Sequence, residues 1–235
     1  MVKQNTLLNL LADGQIQPNE RKLLGTETAE KLRELILLEK LPAGMFVPER
    51  DIAEVLGISR TPMREALRIL EMEGLIEYTS TRRSRVADPS TEELLQSMRV
   101  LSTLEALGGE IACSEATQND LDKIIELNQI MLDKSDSLTS IIFFKTDMEF
   151  HSSIILASHN KPLIETHRTY NAKLWRARFL SSRRKRGRKT TLQQHQDITD
   201  ALCNRDPLAI SKAMRGHIET AMQNLERPNR DANEA

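Results

Sequence analysis

Four polar side chains stand where the helical pattern calls for core residues. Asp147, Phe150, His151 and Ile154 fall at i, i+3, i+4 and i+7, so a carboxylate and an imidazole share the face that should be buried. Burying both without a partner is costly. An Asp and a His one turn apart can chelate one metal ion, as paired histidines do in helical zinc motifs. His195, between Leu192 and Ile198, and His217, after Ile210 and Met214, each replace a core residue on a later helix. Any one of these histidines alone reads more simply as a hydrogen-bonded core or surface residue. Together with Asp147 they favour a divalent metal site built from three helices; zinc, placed first, nickel and manganese are all chemically reasonable for such a set, and the sequence does not choose among them. His167, near the stripe of Leu163, Tyr170 and Leu174, is a candidate to line the same pocket, whereas His159, at a helix end, is expected to face solvent.

A second group of residues suits nucleic acid. Residues 48–76, PERDIAEVLGISRTPMREALRILEMEGLI, hold two short amphipathic helices broken by Gly57, the layout of a DNA-reading helix-turn-helix. In the second helix Met63, Ala66, Leu67 and Leu70 form the buried stripe, while Arg60, Arg64 and Arg68, four apart, project together from another face. Arg60 and Arg64 are the candidates for bidentate contacts to guanine, with Thr61 beside them. Arg68, near Glu65 and Glu71, is expected to be engaged in helix salt bridges. Ser59 or Thr61 can cap this helix, and Pro62 in its first turn loses no intrahelical hydrogen bond. Arg50, at the start of the first helix, and Arg82 and Arg83, in a basic hairpin between strands at 75–78 and 85–87, suit phosphate or minor-groove contact.

The elements that must position these groups follow from composition and periodicity. A chain of 235 residues has room for two modest domains, and an aromatic content of only 3% favours helices packed on helices. The formal net charge of −1 gives no overall positive field, so any DNA affinity rests on local clusters. One is the wing at 82–85; the other is the run 183–189, with six cations in seven residues. That run reads as a solvated interhelical loop, with a phosphate- or partner-binding loop as the competing account. The expected order is a flexible arm at 1–25, a winged helix-turn-helix at 26–88, an all-helical domain at 89–226 and a disordered tail at 227–235. Ser90 and Glu93 make the capping box that opens the second domain, whose helices are expected at 91–113, 117–133, 137–158, 161–181, 190–204 and 206–226. The predicted fold class is therefore mainly α, a winged helix followed by an antiparallel helical bundle. Two distant cysteines suit a reducing, cytoplasmic setting, and no segment reaches the roughly 20 apolar residues that span a bilayer.

The run PxERxxAxxLGISRTPxREALRxLExEGL, followed by a basic hairpin, resembles the winged helix-turn-helix of GntR-type bacterial transcription regulators over about residues 26–88. The wing of that family usually carries a glycine at its tip, whereas here Ser84 follows Arg82 and Arg83, which leaves the turn and its groove contact open. From about 91 to 225 the chain is similar to the helical FCD effector domain of the fatty-acid-regulator branch. There a DxxxH motif and two later histidines bind a divalent metal, matched here by TDMEFH, QQHQDITDAL and MRGHIETAM. Asn160 after ILAS, and Arg99 with Glu105, also fit the pattern.

The resemblance implies a homodimeric regulator, repressor or activator, that binds an inverted-repeat DNA operator and responds to a small organic acid filling open metal positions. Arg99 would pair either with the effector carboxylate or with Glu105. The competing reading is a metal-dependent hydrolase or isomerase on a helical bundle; Glu149, two residues before His151, could be named as its base but is offset from the Asp147 and His151 face and is expected to point elsewhere. That reading is weakened because no nucleophile, phosphate loop or second carboxylate pair is visible, so the chain is expected not to be an enzyme.

Overall fold

The structure, a computed structural model, describes residues 21–182 and 188–226. Most of the expected arm, most of the basic run and the tail lie outside the described residues. The described chain divides into two compact units, the first reaching Pro89 and the second starting at Ser90.

The first unit contains α1 (Arg21–Leu37), α2 (Glu49–Val55), α3 (Arg60–Met72), β1 (Ile76–Tyr78) and β2 (Ser84–Val86). Helix α1 starts at Arg21, ahead of the Thr26 expected from its apolar stripe, and runs through Gly25. A glycine inside a helix is tolerated at a cost of about 1 kcal/mol. Here its bare face leaves room for Glu65, whose side chain lies 2.9 Å from where a Cβ would sit. Ala29, Leu32 and Ile36 of α1 join Ile52, Met63, Ala66, Leu67, Leu70 and Val86 in one buried core. Arg33 clamps the far end of α3 through a two-pronged pair with Glu73, at 2.9 and 2.7 Å.

Strands β1 and β2 pair antiparallel, with Ile76 opposite Val86, Glu77 opposite Arg85 and Tyr78 opposite Ser84. Phe46, in the short extended piece before α2, bridges to Arg85 from the other side. The second strand begins at Ser84 rather than Arg85, because the Ser84 side chain is buried and its hydroxyl donates to Glu49 Oε1 at 2.6 Å. Ser84 is therefore not at the wing tip. The left-handed position there belongs to Arg82, with φ of +58°, and its N–H closes the turn onto the Thr79 carbonyl at 2.8 Å.

The second unit is built from α4 (Thr91–Glu115), α5 (Gln118–Lys134), α6 (Ser140–Leu156), α7 (Lys161–Ser182), α8 (Arg188–Cys203) and α9 (Pro207–Glu226). Ser90 and Thr117 open α4 and α5 with complete capping boxes to Glu93 and Asp120. Helix α4 packs against α6, α7 and α9, while α5 packs against α6 and α8. Gly108 and Gly109 permit that closeness: added Cβ atoms would meet Ile155 of α6 at 2.4 Å and Ile210 of α9 at 3.0 Å. Two apolar clusters fill the bundle, one around Phe143, Phe150, Ile154, Ile198 and Met214, the other around Met98, Leu101, Leu174 and Ile218.

Candidate metal centre and nucleic-acid interface

The helix periods that packed these clusters also carry Asp147 and His151 of α6, His195 of α8 and His217 of α9 into the bundle interior, where all four are buried. One ligand atom from each lies within 4.8 Å of the others. Asp147 Oδ1 stands 3.0 Å from His195 Nε2 and 3.7 Å from His151 Nε2. The His151 and His217 Nε2 atoms are 3.1 Å apart, and their rings stack with centroids 4.7 Å apart. Bonds of about 2.0–2.2 Å to one ion would set neighbouring donors about 3.0–3.6 Å apart, a spacing that the Asp147–His195 and His151–His217 pairs already have. Asp147 Oδ1 and His195 Nε2 are buried and lack aligned hydrogen bonds despite their proximity. His151 and His217 hydrogen-bond through their Nε2 atoms, so the buried ligand atoms without a partner on the inner side of the cluster are Asp147 Oδ1 and His195 Nε2, which a divalent cation would satisfy.

The electrostatics agree with that donor set. Burial alone would raise the Asp147 carboxyl, but His195, His151 and His217 outweigh it and hold the group below the usual carboxylate range. Burial pushes the His195 imidazole down against the opposing pull of Asp147. It pushes His217 down further, with His151 and His195 adding to the effect. An ionised carboxylate beside neutral imidazoles is the protonation state a metal needs.

Behind these four side chains lies a second layer of buried polar groups. His217 Nδ1 faces Gln194 Oε1 at 3.1 Å. His151 Nδ1 faces Glu105 Oε2 at 3.1 Å. Glu105 Oε1 accepts from Arg178 Nη1 at 2.7 Å and lies 3.4 Å from His167 Nε2, while Arg178 Nη1 also donates to Asn171 at 3.0 Å. Burial opposes ionisation of Glu105, yet Arg178 and then His151 hold it well below its ordinary value.

His167 is buried in the bundle, where it lies against Glu105. Arg99 is not: it lies exposed on α4 while Glu105 is buried. Six residues along a helix put the two about 120° apart, so Arg99 neither pairs with Glu105 nor lines the interior. The carboxylate pairs instead with Arg178, which sequence reasoning missed. The signal was present, since His167, Asn171, Leu174 and Arg178 continue one buried stripe of α7 at helical spacing. Glu149 is exposed and paired with Lys123 Nζ at 3.1 Å, away from the cluster. His159 is exposed as expected and lies 3.1 Å from Asp120.

In the first unit Arg50, Arg60, Thr61, Arg64, Arg82 and Arg83 are all exposed. Ser59 occupies the N-cap of α3, but its side chain makes no capping hydrogen bond. Arg68 is exposed, and among the described residues it makes no ion pair with Glu65 or Glu71. The wing arginines divide: Arg85 is held by Glu77, with Nε 2.8 Å from Oε1, while Arg83 lies over the Phe46 ring, 4.0 Å from its centroid.

A winged helix with exposed arginines on its second helix-turn-helix segment, joined to a helical bundle, defines a DNA-binding transcriptional regulator. The chain belongs to the GntR family of bacterial regulatory proteins, whose model matches residues 24–86, and an FCD domain is matched over residues 96–220. The chain is 29% identical over 230 residues to the Glc operon transcriptional activator of Escherichia coli K12, covering 88% of this chain and 91% of that protein. Identity to the Uxu operon transcriptional regulator of the same organism is 31% over 222 residues, 85% of each protein. Among solved structures, E. coli McbR/YncC shares the fold with a TM-score of 0.74 at 18% identity, covering 86% of this chain and 96% of that one. A GntR regulator from Rhodococcus sp. RHA1 gives 0.69 at 20% identity, with coverage of 86% and 96%.

Proposed function

We propose that this regulator's hold on its operator is set by a small organic carboxylate bound at a divalent ion in the second unit. The observation that carries the reading is the buried convergence of Asp147, His151, His195 and His217, with Asp147 Oδ1 and His195 Nε2 unengaged by hydrogen bonds. Three histidines and one aspartate leave one or two positions for an anion or water, and zinc suits the set best, ahead of nickel or manganese. His167 borders this region through Glu105 and is assigned to the effector pocket.

On the DNA side, α3 enters the major groove, with Arg60 and Arg64 reading base edges, Thr61 beside them, and Arg50, Arg82 and Arg83 holding phosphate or the minor groove. Two copies of the chain bind an inverted repeat in the bacterial cytoplasm. The ligand controls occupancy only by preferring one arrangement of the dimer over another.

The deciding experiment combines elemental analysis of the purified protein with operator binding across a panel of organic acids, with and without chelator. An acid that changes DNA affinity only when metal is present supports the proposal. No acid doing so would refute it. Turnover of an acid would instead favour an enzyme; the position of Glu149, exposed and paired with Lys123, speaks against that outcome.

A further inference from the structure

Glu105 has zero exposure and its two carboxylate oxygens are divided between two tasks. Oε1 takes Arg178 at 2.7 Å and His167 at 3.4 Å. Oε2 faces His151 Nδ1 at 3.1 Å, and neither of those two atoms has any other hydrogen-bond partner among the described residues. The two atoms are within hydrogen-bonding distance but not in line for a formed bond. The opposite nitrogen of the same ring, Nε2, belongs to the cluster of four ligands. A neutral imidazole carries one proton, so Nε2 can offer a lone pair only if Nδ1 keeps the hydrogen, and Nδ1–H then needs an acceptor.

We infer that Glu105 is a positioning residue for the metal centre, fixing the tautomer and orientation of His151 from α4 while Arg178 and His167 of α7 anchor its other oxygen. The inference rests on the proposed metal site. Partners of this kind set the ligand's orientation and basicity, and their loss typically weakens metal binding about 10–100-fold.

A purely structural account would make Glu105 only the counter-ion of buried Arg178, and the two accounts differ in what substitutions do. In Glu105→Gln the amide oxygen is drawn to Arg178, which has no acceptor of its own. The amide NH₂ then faces His151 Nδ1 and favours the tautomer with its hydrogen on Nε2, the wrong one for a metal. In Glu105→Met/Arg178→Met both buried charges go, so the fold is relieved of an unpaired ion, but His151 still lacks its acceptor.

The test measures Zn²⁺ affinity of the full chain by competition with a chromophoric chelator, the Co²⁺ visible spectrum, and the His151 tautomer in the metal-free protein by nitrogen NMR. Expected are about 10–100-fold weaker Zn²⁺ binding in both variants, an altered Co²⁺ spectrum, a hydrogen on Nε2 of His151 in Glu105→Gln, and a melting temperature near wild type for the double variant. Wild-type affinity in the double variant, or an unchanged tautomer in Glu105→Gln, overturns the inference while leaving the metal site standing. A wild-type chain that binds neither Zn²⁺ nor Co²⁺ overturns the metal reading itself and the inference with it.

Discussion

Asp147 Oδ1 and His195 Nε2 stand 3.0 Å apart in the bundle interior, yet neither is engaged in an aligned hydrogen bond. Two helices, α6 and α8, bring a carboxylate and an imidazole into contact without letting them satisfy each other. A cation between them would supply what the pair lacks.

His195→Ala removes one of the proposed ligands and leaves Asp147 buried without its nearest partner. Metal at 100 times its dissociation constant stabilises the wild-type fold by about 2.7 kcal/mol. Differential scanning calorimetry should therefore show a clear fall in the wild-type transition on adding chelator and almost none in His195→Ala. An equal chelator effect on both proteins would remove His195 from the ligand set.

The metal-free protein should lose stability in mildly acidic buffer. Burial holds the His195 and His217 imidazoles below their ordinary value, so in the fold they stay neutral where the unfolded chain already protonates them. The unfolded state then binds more protons, and stability falls as pH drops below about 6.5, the ordinary histidine value. Above that pH both states are neutral at these groups and the contribution is fully present. Urea unfolding in the presence of chelator between pH 8 and pH 5 checks the sign; a midpoint that rises toward pH 5 contradicts it.

Arg64 and Arg83 should separate in a gel-shift competition between operator and random DNA. Arg64→Ala is expected to lose about 1–3 kcal/mol of preference for operator. Arg83 lies over Phe46 at the wing, so Arg83→Ala should weaken both DNAs alike, and Phe46→Ala should do so more mildly by freeing the guanidinium. Equal losses on both DNAs for Arg64→Ala would sink its assignment to base reading.

Arg82→Gly should move stability and DNA affinity in opposite directions. A side chain at φ +58° carries a left-handed penalty of about 1 kcal/mol that glycine escapes. The isolated winged-helix transition should rise accordingly. Binding to any DNA should weaken, and the slope of log affinity against log salt should become shallower by about one unit if Arg82 meets phosphate. An unchanged salt slope would place Arg82 away from the backbone.

Much of this was readable in the chain itself. The stripe Met63, Ala66, Leu67 and Leu70 is buried to within a per cent, and the capping boxes at Ser90 and Thr117 form as their spacing implies. Asp147, His151, His195 and His217 stood out because each interrupts an apolar helical face, and local periodicity is enough to say that such residues point inward. Periodicity says nothing about which inward-pointing groups from different helices will meet. Arg99 and Glu105 are near in sequence, but helical rotation sends one to the surface and the other to Arg178, 73 residues further along the chain. The wing shows the same division: its basic composition is local, whereas Ser84 turns inward because Glu49, from the start of α2, waits there as its acceptor. Helix, face and ligand type were written in the sequence by the repeat of its side chains. The pairing of Glu105 with His151 and Arg178, and the 3.0 Å approach of Asp147 to His195, came only from packing, because the distances between helices depend on every residue that lies between them.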